Sequence, residues 1–359
     1  MHVLHVVGAR PNFMKAAPVL AALAGTSGIR QSLVHTGQHY DAGMSEVFFQ
    51  QLAMPAPDVN LGVGSASQAQ QTAEIMARFE PVVMERRPDL VLVYGDVNST
   101  MAAAIVCAKL LVPVGHVEAG LRSRDRTMPE EINRLITDQL ADLLFTPSED
   151  GDQNLIREGV APEKIHRVGN VMIDSLVRLL PYAAGRKPAG LPQRYGLVTL
   201  HRPSNVDEPE RLRQLLGVLN TISSGLEIVF PVHPRTRERM AALEVPRSAQ
   251  ARVHLLEPVP YLEFLALQRG AALVITDSGG IQEETTFLGV PCLTLRESTE
   301  RPVTVSQGTN VIVGRDFSRL PEAVHCALAG NWKTPSPIPL WDGHAAVRIA
   351  EVIANPRAY

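Results

Sequence analysis

The segment Thr276-Asp277-Ser278-Gly279-Gly280-Ile281-Gln282-Glu283-Glu284 follows a short apolar run and reads as the opening of a helix. Gly279 and Gly280 leave backbone N–H groups open to an anion, and Ser278 adds a hydroxyl. The helix N-terminus contributes a positive field. This is phosphate-binding chemistry, and Glu284, one turn further, has the reach to accept from two ribose hydroxyls. Gly-rich strand-to-helix turns also occur without ligands, so the motif needs company. Gly8-Ala9-Arg10-Pro11-Asn12-Phe13-Met14-Lys15 supplies some. Pro11 suits a first helical turn. Arg10 and Lys15 bring a forked and a point-like cation to one strand end, where solvated charges are the bland alternative.

Three carboxylates recur in the same kind of place. Asp96 lies in Tyr94-Gly95-Asp96-Val97-Asn98-Ser99-Thr100, and Glu118 in His116-Val117-Glu118-Ala119-Gly120-Leu121-Arg122-Ser123. Asp96 would face a ligand or cap the following helix, a job Asn98 or Ser99 fills equally well. Glu131 opens a helix in Met128-Pro129-Glu130-Glu131-Ile132-Asn133-Arg134 and shares a helix face with Arg134. An acid in that place also simply complements the helix dipole. His201 follows a further apolar run in Thr199-Leu200-His201-Arg202-Pro203-Ser204-Asn205. A histidine there can change protonation near neutrality and neutralise a departing phosphate. Pro231-Val232-His233-Pro234-Arg235 repeats the basic arrangement one run later. No Ser-His-Asp set, metal-ligand spacing or Walker loop is present. GARPNFMK lacks G-x-G-x-x-G, so a nicotinamide cofactor is not indicated.

The elements that must position these groups are legible as runs. His2–Val7, 32–35, Leu90–Tyr94, 112–117 and Leu143–Thr146 are continuously apolar or β-rich, with helical stretches such as 11–24 between them. Ala69, Ala73, Met76, Phe79 and Val83 recur at helical spacing. Continuous rather than alternating runs suit strands buried on both faces of a parallel sheet. The pattern restarts near residue 190 with strands at 196–200, 228–232, 253–256, 273–276 and 292–295, and helices at 208–219 and 280–288. The expected fold is therefore α/β, with two Rossmann-like parallel-sheet domains facing a cleft. The expected boundaries are 1–170 for the first domain, joined by a last helix at about 343–359, and 171–342 for the second. Residues 181–192, rich in Pro, Gly and Ala, read as a surface loop. Ligands of open parallel sheets bind at the strands' carboxyl ends, so the cleft is the expected site.

Composition bounds the partners. The 359 residues suit two domains, and a formal net charge of −3 gives no electrostatic case for nucleic acid or an anionic membrane. Cys107, Cys292 and Cys326 sit among apolar neighbours and read as buried free thiols in a reducing compartment. The apolar run at the N-terminus is too short for a signal segment and no stretch has transmembrane length, so a soluble cytoplasmic protein is expected.

In this order, GARPNFMK, HTGQHYD (35–41), YGDVNST, HVEAGLRS, MPEEINR, TLHRPSN, VHPRT, TDSGGIQEE and STERPV (298–303) resemble the non-hydrolysing UDP-N-acetylglucosamine 2-epimerases, over residues 1 to about 314. The resemblance implies a glycosyltransferase-B type fold and a homodimer. It implies interconversion of UDP-N-acetylglucosamine and UDP-N-acetylmannosamine without cofactor or metal, for polysaccharide biosynthesis. In that family's mechanism UDP leaves C1 as a base takes the C2 proton, giving 2-acetamidoglucal, and UDP re-adds after C2 is protonated from the other face.

On that reading Asp96, Glu118, Glu131 and His201 are catalytic. Arg10, Lys15, Asn98, Arg134, His233, Arg235, Ser278, Gly279, Gly280, Glu284 and Arg301 bind the UDP-sugar. Arg134 orients Glu131 or contacts the diphosphate. Gln38 and His39 occupy an allosteric position of bacterial members, but Tyr40 and Asp41 follow them here, and an acid beside an activator's diphosphate is unfavourable. Arg-Pro-Ser-Asn after His201 replaces the frequent Arg-Arg-Glu-Asn. Rival readings are a 2-epimerase for a UDP-diacetamido-uronic acid, with Arg122 or Arg124 meeting the extra carboxylate, and a hydrolysing epimerase. A glycosyltransferase or a non-enzymatic UDP-sugar sensor on the same fold stands further off.

Overall fold

A computed structural model describes residues 1–38, 52–243 and 252–355. The chain divides into two compact units, the first formed by Met1–Ser175 with the segment from Pro339, the second by Leu176–Ile338.

The first unit is built on β1 (His2–Val7), β2 (Arg30–His35), β3 (Val59–Asn60), β4 (Leu90–Tyr94), β5 (Val114–Val117), β6 (Leu143–Thr146) and β7 (Ile165–Arg167). Among the described residues these form one parallel sheet of order β3-β2-β1-β4-β5-β6-β7. Every residue of β1, β4, β5 and β6 is buried, which is why their sequences run apolar without alternation. The second unit holds β8 (Tyr195–Thr199), β9 (Glu227–Pro231), β10 (Val253–Leu256), β11 (Leu273–Thr276), β12 (Cys292–Thr294) and β13 (Asn310–Ile312). Its parallel order is β10-β9-β8-β11-β12-β13.

Each sheet reverses its winding once, between β1 and β4 in the first unit and between β8 and β11 in the second. Those switch points are where open α/β sheets bind ligands. The loops leaving the four strands are Gly8-Ala9, Gly95-Asp96-Val97, the turn from Leu200 and Asp277-Ser278. Four of the motifs singled out by residue type, those of Arg10, Asp96, His201 and Ser278, therefore coincide with the topologically favoured places.

Several local expectations need correction. β3, β7 and β13 were not anticipated; they have two, three and three residues, too few for a periodic signal. The helix Gln68–Arg86 buries Gln71, Ile75, Phe79 and Val83, while Ala69 and Ala73 are exposed. Its inner stripe is thus two positions out of phase at its first turns, because the Gln71 amide is used inside, donating to the Gly64 carbonyl at 2.8 Å. Pro181 belongs to the helix Val171–Ala183 instead of a loop. A proline in a helix's closing turn costs little when its missing N–H and its ring lie on the solvent side, and Pro181 is exposed. Cys326 is half-buried, unlike Cys107 and Cys292.

The helix Ala345–Ala354 returns to the first unit and packs on the helix Arg10–Ala24. Its first turn is capped from a distance: the Ala345 and Ala346 N–H groups donate to Asp174 at 3.1 and 2.7 Å. A carboxylate at a helix N-terminus satisfies donors that have no partner within the helix.

Candidate active site

In the first unit Asn12 joins the ends of β1 and β4. Its side-chain oxygen accepts from the Gly8 and Ala9 N–H groups at 3.1 and 3.2 Å, and its amide donates to the Tyr94 carbonyl at 2.6 Å. One turn on, buried Lys15 forms an ion pair with Glu118, which directly follows β5. Glu118 has φ +75°, a left-handed conformation that costs a residue with a Cβ about 1–2 kcal/mol. Such strain persists where the surroundings over-determine it, and it concentrates at functional sites. Here the Glu118 N–H donates to the Phe145 carbonyl at 3.1 Å while Lys15 holds the carboxylate. Gly95, φ +64°, makes the room: a Cβ there would lie 2.4 Å from Lys15 Nζ and 3.2 Å from Glu118 Oε2.

Asp96 and Glu131 share one guanidinium. Arg134 donates through Nη2 and Nε to Asp96 at 2.6 and 3.1 Å, and through Nη1 to Glu131 at 2.6 Å. The two acids are otherwise unlike. The Asp96 side chain is 25% exposed and Glu131 only 3%, which leaves Asp96 the more open to a substrate. Glu131 also accepts from the Ser123 N–H at 2.9 Å, the Ser123 hydroxyl at 3.0 Å and the Arg124 N–H at 2.8 Å. Burial alone would raise its pKa, but those two backbone donors and the Arg134 charge outweigh it and hold Glu131 below its ordinary range. A carboxylate so satisfied is a weak base. Sequence reasoning gave Glu131 a share in proton transfer; its contacts suit holding the 123–124 turn and orienting Arg134.

Other expected binding residues are engaged within the protein. Asn98 donates to Gln68 and Gln71 at 2.7 and 2.9 Å and accepts from Asn133 at 3.1 Å, tying three helices together. Gln38 is buried and accepts from the Ser99 N–H and hydroxyl at 3.1 and 2.7 Å. His39 lies outside the described residues, as do the side chains of Arg10 and Arg235.

In the second unit Ser278 is the N-cap of the helix Gly279–Leu288. His201 Nδ1 lies 3.0 Å from Asp277 Oδ1 with the ring 57% exposed, so its other nitrogen is open to an anion. Asp277 was quoted inside its motif but given no role by sequence reasoning. It is fully buried and accepts from the His201 and Arg202 N–H groups and from Asn205 at 3.0–3.2 Å. Burial pushes its pKa up; His201, Asn205 and Arg202 outweigh this and hold it below its ordinary range. An acid ending a buried strand just before a Gly-Gly turn was the signal that could have found it.

Gly279 allows Arg301 to close on that helix start, since a Cβ would lie 2.5 Å from Arg301 Nη1. Arg301 is paired with Glu283 at 2.8 Å and Glu300 at 3.1 Å. Glu284 is buried and accepts from the Tyr261 hydroxyl at 2.7 Å, which fixes its carboxylate. His233 is exposed, and its carbonyl starts the helix Pro234–Ala242 by accepting from Thr236 and Arg237 at 2.9 and 3.0 Å. Among the described residues no His, Cys, Asp and Glu group has the arrangement of a metal site.

Two Rossmann-like parallel-sheet units, with Asp96 at the switch point of one and a histidine and a Gly-Gly helix start at that of the other, define a glycosyltransferase-B type enzyme architecture. The family model described as UDP-N-acetylglucosamine 2-epimerase matches residues 21–354, and the chain belongs to this family. A UDP-N-acetylglucosamine 2-epimerase of Methanocaldococcus jannaschii is 40% identical over 97% of each chain. A UDP-2,3-diacetamido-2,3-dideoxy-D-glucuronate 2-epimerase of Pseudomonas aeruginosa is 41% identical over 99% of this chain and all of its own. The crystal structure of Methanocaldococcus jannaschii UDP-GlcNAc 2-epimerase in complex with UDP-GlcNAc and UDP has a TM-score of 0.87 at 40% identity, covering 98% of this chain and 99% of that one.

Proposed function

We propose that the protein interconverts UDP-N-acetylglucosamine and UDP-N-acetylmannosamine. The observation that carries this reading is the pair of carboxylates at the ends of adjacent strands β4 and β5, Asp96 and Glu118, each matched to one cation, Arg134 and Lys15. C2 of the sugar has no adjacent carbonyl, so direct deprotonation is unfavourable. A base takes the C2 proton while the C1–O bond to UDP breaks, giving 2-acetamidoglucal and UDP. An acid then returns a proton to the opposite face and a UDP oxygen re-forms the bond at C1. Nothing is oxidised or reduced along this path, so it consumes no oxidant or reductant. Asp96 and Glu118 serve the two faces of C2. Glu131 and Arg134 hold Asp96 in place.

Ser278, Gly279 and Gly280 hold phosphate, and Glu284, fixed by Tyr261, takes the ribose. His201, backed by Asp277, meets the charge that grows on departing UDP. The remaining features of this reading are a homodimer working in the cytoplasm to supply polysaccharide precursors. Among the described residues no helix is long and apolar enough to cross a membrane.

The Pseudomonas relative keeps a diacetamido-uronic acid as second substrate reading. Its extra carboxylate needs a cation, and Arg122 is already taken by Asp138 at 2.7 Å and Glu158 at 2.5 Å. Arg124 donates to Asn154 at 3.0 Å. These engagements favour the neutral sugar. The test incubates both UDP-sugars with enzyme in heavy water and follows them by NMR. Deuterium at C2 with UDP-N-acetylmannosamine formed is the expected result, and Asp96→Asn should abolish it while UDP still binds. Free N-acetylmannosamine would mean hydrolysis, and binding without exchange would mean a sensor.

A further inference from the structure

Among the described residues of the first unit two histidines are wholly buried, and their surroundings differ in kind. His5 Nδ1 faces the Tyr94 hydroxyl at 2.6 Å and Nε2 faces the Gln31 side-chain carbonyl at 3.0 Å. The Gln31 amide is oriented by its own bond to the Leu20 carbonyl at 3.2 Å. His5 therefore meets one donor and one acceptor, which a neutral ring satisfies. His116 Nε2 faces the Gly95 carbonyl at 2.8 Å, and Nδ1 faces Asp138 Oδ1 at 2.6 Å. A carbonyl oxygen only accepts, and so does an ionised carboxylate.

From this we infer that His116 is held as a buried imidazolium whose Nε2–H pins the Gly95 carbonyl, making it the positioning residue for Asp96 and for the Lys15–Glu118 pair. The inference rests on the roles given above to Asp96 and Glu118.

Placing the shared proton on Asp138 instead is disfavoured by the rest of its environment. The other Asp138 oxygen accepts from Arg122 Nη1 at 2.7 Å and from the Gly120 N–H at 3.1 Å. Burial works against an ionised Asp138, whereas the Arg122 charge and its hydrogen bond favour one. Charge closure agrees. The groups packed around the ring are Asp138, Arg122 and, beyond Arg122, Glu158. Counted together with the partly exposed Glu158, an imidazolium brings these groups to zero net charge. Buried charges persist when paired and hydrogen-bonded, and an unpaired one is costly.

The consequence for the site is geometric. The Gly95 N–H donates to the Val117 carbonyl at 3.0 Å, and the Gly95 carbonyl takes the His116 ring. Both polar groups of Gly95 are thus fixed by β5. Asp96 is the next residue after Gly95, and Glu118 is two residues beyond His116. One ring therefore sets the spacing between the two strand ends that carry the acids, and with it the alignment on C2.

The test has two arms. Enzyme labelled with 15N-histidine is studied by NMR in mildly alkaline buffer, where free histidine is neutral. The His116 signals are assigned by their loss in His116→Asn. Both ring nitrogens should show the protonated signature, and a non-protonated nitrogen overturns the inference. The second arm compares two amides. His116→Gln places a donor where Nε2 was and keeps the bond to Gly95, while His116→Asn reaches only toward Asp138. Turnover should stay within about threefold of wild type in His116→Gln and fall roughly 30-fold in His116→Asn, with KM within about twofold in both. Equal loss of turnover in the two variants, or an effect on KM alone, refutes the positioning role. If neither variant folds, the His116 ring is assigned through its own backbone resonances in uniformly labelled wild-type protein, and the spectrum still decides. Wild-type enzyme without C2 exchange would overturn the proposed function and leave the state of His116 to the spectrum.

Discussion

Gly95→Ala tests the crowding at the end of β4 directly. The backbone there has φ +64°, so any Cβ pays a left-handed penalty of about 1–2 kcal/mol. The new Cβ would also sit 2.4 Å from Lys15 Nζ. The ammonium must slide away from Glu118, which is itself buried. Fully uncovering a buried partner costs about 3–5 kcal/mol, and a flexible lysine will recover part of it. A total loss of about 2–5 kcal/mol follows, or a fall in Tm of roughly 5–15 °C for a unit of this size. Gly159→Ala is the matched control, with φ +83° but no atom within 4 Å of its Cβ. It should cost the backbone penalty alone, about 1–2 kcal/mol. Denaturant melts of both variants, with C2 exchange measured alongside, separate strain from displacement. Exchange should fall at least about tenfold in Gly95→Ala only. Equal destabilisation of the two variants, with exchange retained, would refute the account of Lys15 and Glu118.

Other outcomes follow from the same geometry. His201→Ala should lower kcat far more than it raises KM, as measured by steady-state kinetics, because its charge is needed when UDP departs. Burial lowers the His5 pKa from 6.5 to about 3. The unfolded chain therefore binds that proton first, and stability is lost as pH falls below about 6.5, by about 2 kcal/mol at about pH 5. Denaturation of His5→Asn at neutral pH and at about pH 5 should show a correspondingly smaller difference than wild type. Burial pushes the Cys107 and Cys292 thiols up to about 12 and about 11. A thiol reagent should therefore label Cys326 in the folded protein, and reach the other two only on unfolding.

Much of the fold was legible because buried parallel strands write themselves as unbroken apolar runs: Leu90–Tyr94 and Leu143–Thr146 appear in the structure with the bounds read from sequence. The edge strands were not, since a pair such as Val59–Asn60 has no period to detect. At the site, residue type and strand-end placement pointed to Asp96, Glu118 and His201. Their partners could not be read. Lys15 meets Glu118 across 103 positions, and Asp96 meets Arg134 across 38. Such pairings are decided by strand order, not by local spacing. The same holds for Asp138 and Asp277, whose work is done on histidines 22 and 76 residues away. The distinction between Asp96, open to solvent, and Glu131, saturated with donors, exists only once the turn at Ser123 and Arg124 is folded over it.

The Asp174 carboxylate, which receives the first two N–H groups of the helix Ala345–Ala354, joins the points at which the chain leaves the first unit and comes back to it. The second unit is in that sense a guest inserted into a host. During synthesis the guest, residues 176–338, is complete before the ribosome has released the host's final helix. The seven strands of the host sheet precede the guest, and what stays uncovered until that helix emerges is the face of Arg10–Ala24 on which it packs.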